Sequence, residues 1–171
     1  MKLSTFCLLL SGLVISTSAL AQSAPNADTK TESIQTADTG WQVICRSLAT
    51  DRQKLTCSLT HEVFSANDRS RLVALEISKS DKGRALLVST PMGVNLTSGV
   101  EVSLDGASPL KGQFSSCQGN GCVSVIELSD ANIASFKKSK ISAVSFSDLR
   151  GAKIKIDVSL AGIVPAFAKM D

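Results

Sequence analysis

The chain has 171 residues, is 43% hydrophobic and 19% charged, and carries a formal net charge of +3. That length suits one domain with a real core, and so small a charge does not mark a nucleic-acid or membrane-surface binder. One tryptophan and no tyrosine leave little from which to build a carbohydrate-stacking platform.

The first element reads as a secretory signal. Lys2 supplies the positive start, Leu8, Leu9, Leu10, Leu13, Val14 and Ile15 the apolar centre, and Ala19-Leu20-Ala21 a small-x-small cleavage site before Gln22. Cys7 lies inside this stretch, but Ser4-Thr5-Phe6 before it lack the small, aliphatic surroundings of a lipoprotein cleavage site. The apolar run is shorter than the roughly 20 residues that cross a bilayer, so residues 1–21 are expected to leave and no integral span to remain. Their loss removes only Lys2 among the charges and leaves +2. The expected destination is periplasmic or secreted.

Residues 22–39 are rich in Ala, Ser, Thr and Asp around an isolated Ile34. Such a stretch buries too little apolar surface to offset its ordering entropy and reads as a disordered leader. The domain is expected over 40–171, starting at Gly40 or Trp41, with its last patterned residues near Lys169.

Short alternating segments follow, separated by turn signals. Strands are predicted from Trp41 to Arg46, Lys54 to Glu62, Arg71 to Ser78, Arg84 to Ser89, Val100 to Leu104, Gly112 to Ser116, Cys122 to Leu128, Ile141 to Phe146 and Lys153 to Leu160. The last is cleanly two-sided, with Ile154, Ile156, Val158 and Leu160 against Lys153, Lys155, Asp157 and Ser159. Ser129 is a good helix N-cap, Asp130 suits the first turn, and Lys137, Lys138 and Lys140 suit the end, which predicts a short helix over 130–138. About nine strands and one short helix indicate a mostly β, single-domain antiparallel β-sandwich or flattened barrel.

Four cysteines remain after export: Cys45, Cys57, Cys117 and Cys122. An even number in an oxidising compartment reads as disulfides, and four allow three pairings. Cys45–Cys57 and Cys117–Cys122 are favoured because each pair flanks a turn: the polar stretch Ala49 to Gln53, and Gln118-Gly119-Asn120-Gly121 with its Asn-Gly hairpin signal. The competing reading joins Cys57 and His61, which share a strand face, to Cys117 and Cys122 as zinc ligands. Its spacing matches the usual fingers poorly, and no metal or other cofactor is expected. A redox pair of the Cys-x-x-Cys type is absent.

No catalytic set is visible. His61 is the only histidine, the Gly-x-Ser-x-Gly elbow is missing, and Glu101, Asp105, Glu127, Asp130 and Asp157 are scattered. His61 reads as a polar residue on a strand face and Trp41 as a core residue packed on a disulfide. The least routine segment is the loop Thr90 to Leu96. Its Pro91, Met92, Val94 and Leu96 either cap the core or form an exposed binding patch.

Several of these pieces, in order, resemble the invasion-associated locus B family: Trp41-x-Val43-x-Cys45, Cys57, the run from Pro91 to Val100, Leu104-Asp105-Gly106, Phe114-Ser115-Ser116-Cys117 leading into Gly121-Cys122, and Val158-Ser159-Leu160-Ala161-Gly162. The match covers nearly all of residues 40–167. Gly40 departs from the acidic residue common before the tryptophan, and Ile163 from the aromatic that often follows the glycine. The resemblance implies an exported protein of Gram-negative bacteria, named for a role in host-cell invasion, with no catalytic residues to carry over. The expected function is therefore a non-enzymatic exported binding or accessory protein whose partner is a protein or another envelope component. The alternatives are an envelope hydrolase or thiol-redox enzyme with an unrecognised site, and a subunit of an envelope assembly.

Overall fold

The computed structural model describes residues 36–47, 55–80, 83–105 and 107–170, all within one unit of the chain, Thr31–Asp171. The predicted signal, most of the predicted leader and the polar turn from Ala49 to Gln53 lie outside the described residues.

Eleven strands and two helices are described: β1 (Thr36–Asp38), β2 (Gln42–Ser47), β3 (Leu55–Ser65), β4 (Arg71–Ser80), β5 (Gly83–Thr90), β6 (Val100–Leu104), β7 (Leu110–Gly112), β8 (Phe114–Gln118), β9 (Gly121–Leu128), α1 (Asp130–Lys138), β10 (Ile141–Ser147), β11 (Lys153–Ser159) and α2 (Ile163–Met170). A 3-10 turn spans Leu96–Ser98. The larger sheet runs β3-β4-β5-β9-β8, with β1 and β2 end to end along the free side of β3. The smaller runs β11-β10-β6-β7. All pairings are antiparallel, and the sheets do not close on each other, so the fold is the sandwich rather than the barrel.

Period-two alternation builds the core. Leu59 and Val63 of β3, Val73, Leu75 and Ile77 of β4, and Leu86 and Val88 of β5 face inward. They meet Val100, Val102 and Leu104 of β6, Val144 and Phe146 of β10, and Ile156 and Val158 of β11 in one buried cluster. Each such side chain contributes about 1.5–3 kcal/mol by leaving water. Helix α1 opens with a capping box between Ser129 and Asn132 and buries Ile133 and Phe136.

Three features differ from the sequence reading. A strand lies inside the predicted leader, because Thr36–Asp38 pairs with Val63 to Ser65 of β3. A polar three-residue strand carries no apolar pattern; backbone bonds to an edge that already exists hold it. The single strand predicted from Gly112 to Ser116 is split, since β7 belongs to the smaller sheet and β8 to the larger. Gly112 permits this switch: a Cβ there would collide with Ser124 Oγ and Ile126 Cγ1.

Finally, the chain closes on a second helix, α2, where only one is predicted. Its buried Ile163, Ala166 and Phe167 form an i, i+3, i+4 stripe. Pro165 sits in the first turn, where its missing N–H breaks no intrahelical bond. Two turns are too short for that stripe to stand out, and Ile163-Val164-Pro165 reads locally against a helix.

Candidate functional site

Cys45 and Cys57 stand opposite each other on β2 and β3 and are bonded, with S–S 2.05 Å. Cys117 and Cys122 stand opposite each other on β8 and β9 and are bonded, with S–S 2.09 Å. The bridges lie at opposite edges of the larger sheet, so Cys57 and His61 are not brought to Cys117 and Cys122 as a ligand set. The β8–β9 turn is Gly119-Asn120, one place before the Asn-Gly pair of the sequence reading. Gly121 instead opens β9 at φ +131°, where any Cβ would collide with the Thr90 carbonyl oxygen.

The loop after β5 lies at one end of the sandwich and divides its predicted residues between core and solvent. Val94 is only 5% exposed and bridges to Asp148 in the β10–β11 turn. Pro91 is half-buried. Met92 is 58% and Leu96 51% exposed. Two further backbone bonds join this loop to the neighbouring turn, Asn95 N–H donating to the Ser147 carbonyl at 2.8 Å and Leu149 N–H to the Gly93 carbonyl at 3.1 Å. The Asn95 side chain accepts from the Thr97 N–H at 3.1 Å and its hydroxyl at 2.7 Å, which sets the 3-10 turn. The joined loops thus present Met92 and Leu96 together with Leu149, which is 74% exposed. Leu149 was missed because Asp148-Leu149-Arg150-Gly151 reads simply as a turn; an apolar residue within a turn sequence is the signal that points to it.

A shallow cleft of about 520 Å³ adjoins Met92, lined also by Phe64, Arg69, Arg71, Pro91 and Asn120. Arg71 Nη1 donates to Glu62 Oε1 at 3.1 Å and Nη2 to the Asn120 carbonyl at 3.0 Å, tying the β8–β9 hairpin to β3. This pair was also missed, because Glu62 and Arg71 meet only through strand pairing.

His61 does not lie on an open strand face. It alternates with Leu59 and Val63 on the inner face of β3 and is 1% exposed. Neither ring nitrogen has a hydrogen-bond partner. Asp38 Oδ2 approaches Nε2 to 3.7 Å, beyond hydrogen-bond length. Burial pushes the imidazole below its ordinary pKa, and Asp38 partly opposes that shift. Trp41 packs edge-on against the His61 ring, with centroids 5.2 Å apart at 63°, and its Nε1 donates to the Ser159 carbonyl at 2.9 Å. Its aromatic neighbour is thus His61, and it packs partly buried against the core, as the sequence suggests.

A two-sheet β-sandwich, crosslinked within two hairpins and carrying a joined pair of apolar loops, is the class of protein these features define. The pattern of the Invasion associated locus B (IalB) protein family matches residues 41–171. The chain belongs to that family. Its fold is similar to the crystal structure of invasion associated protein B from Bartonella henselae, with a TM-score of 0.65 and 15% identity over 76% of this chain and 89% of that one. A search of curated proteins found no match.

Proposed function

We propose that this chain is a non-enzymatic, exported accessory protein that binds a protein or other envelope component through the joined loops carrying Met92, Leu96 and Leu149. The observation that carries the reading is the exposure of three large apolar side chains on two loops whose backbones are bonded to each other. Side chains held out of the core on a fixed frame suit recognition, because little ordering cost remains at binding. The chain's only histidine is sealed in the core, out of reach of a substrate.

The two disulfides fit an oxidising compartment, and the reading of residues 1–21 as a signal supplies the route, periplasmic or secreted. The family description adds an association with invasion, which for this chain means a role at the host interface if its source is a pathogen. The test is capture from envelope extract with the exported protein and with a Met92→Ser, Leu149→Ser variant. A partner held by the first and released by the second supports the proposal. Equal capture by both, or a hydrolase activity in the purified protein, refutes it.

A further inference from the structure

We propose that His61 is an acid-operated latch: on taking up a proton it releases the edge from Asp38 to Trp41 from β3 while the rest of the sandwich stays folded. This goes beyond the partner-binding reading and does not rest on it.

Along β3 the ring is flanked by buried Leu59 and Val63, and its register partner on β4 is buried Leu75. Trp41 covers it from the segment before β2, and the faces that α2 buries are Ile163, Ala166 and Phe167. The charged group facing it, among the described residues, is Asp38. An imidazolium needs acceptors for two N–H groups. Here one carboxylate oxygen stands 3.7 Å from Nε2, and Nδ1 has no partner. A proton added in place would leave a buried charge half-satisfied, which is costly.

The least expensive relief is local opening, and the neighbouring contacts show where. β1 is three residues long and lies at the sheet edge. The break between β1 and β2 is held to β3 by Thr39 N–H donating to the Glu62 carbonyl at 3.1 Å and Glu62 N–H donating to Thr39 Oγ1 at 3.1 Å. Asp38 Oδ1 accepts from Gly40 N–H at 3.1 Å, so the carboxylate nearest the ring also shapes this break. Trp41 reaches the second sheet through its one bond to Ser159. The Cys45–Cys57 bridge fastens the far part of β2 to β3 and confines the opening to residues before Cys45. Edges with few bonds open before cores do.

The chain supplies its own reporters, since it has one tryptophan, no tyrosine and one histidine. The protein purified after export is titrated from pH 8 to pH 4.5 while the single histidine resonance, Trp41 emission and far-ultraviolet circular dichroism are followed. The expected result is a reversible red shift and quenching of Trp41 that tracks the histidine resonance. Its midpoint lies below the ordinary 6.5, and the dichroism stays constant. Asp38→Asn, which keeps the acceptor for Gly40, shifts the midpoint to lower pH. In His61→Gln the Trp41 change disappears. An unshifted midpoint, a Trp41 change retained in His61→Gln, or loss of dichroism at the same pH overturns the latch. Should His61→Gln fail to fold, the wild-type resonance and Asp38→Asn decide by the same criteria.

Discussion

Two regions of this sandwich break the usual division of side chains, in opposite senses. At the joined loops, Met92, Leu96 and Leu149 are apolar and outside. Beneath the β1–β2 edge, His61 is polar and inside, without hydrogen bonds. The first departure costs the fold little, because exposed apolar atoms are ordinary on protein surfaces; it is the surface through which we propose that a partner binds. The second has a folding cost at every pH, and a larger one when the ring is charged; its consequence is sensitivity to acid. The same sheet framework therefore holds exposed apolar side chains in one region and a buried, unbonded imidazole in another.

The sharpest way to break the comparison is Trp41→Ala. It removes the cover of His61 and the bond to Ser159 together, with an expected loss of about 3 kcal/mol in urea unfolding. Within the loop itself, Val94→Ala should cost about 2 kcal/mol because Val94 is in the core, whereas Met92→Ala two residues away should cost less than about 0.5 kcal/mol. Equal costs at both positions would show that the loop does not divide its residues between core and solvent.

His61→Leu should have the smallest effect near neutral pH and a growing one in acid. The sign follows from the lowered native pKa: between 6.5 and that lower value the unfolded chain binds the proton first, so wild-type stability falls as pH falls through this window. Leucine removes that dependence and the unpaired nitrogens, so the variant should be more stable than wild type by about 1 kcal/mol in mild acid. Parallel stability curves for the two proteins would mean that His61 does not titrate differently in the folded state.

Much of the frame was legible from local pattern. Alternation located β6 from Val100 to Leu104, and Ser129 with Asp130 located the start of α1, because those signals act within a few residues. β1 and α2 were not, since one is held by pairing to a distant strand and the other by its docking. Of the candidate site, the loop from Pro91 to Leu96 stood out as too apolar for a connection. That Val94 turns in while Met92 and Leu96 turn out, and that Leu149 joins them, depends on the bridge to Asp148.

By itself the sequence determined a mostly β domain with cysteines beside turns, and a loop of unusual apolarity, because period-two patterning and turn chemistry are local properties of the chain. Only the tertiary structure decided that the sheets remain open as a sandwich, that Leu149 stands beside the Met92 loop, and that Trp41 and Asp38 enclose His61. Those outcomes rest on contacts between residues far apart in sequence, where register and layer packing, rather than local preference, choose the neighbours.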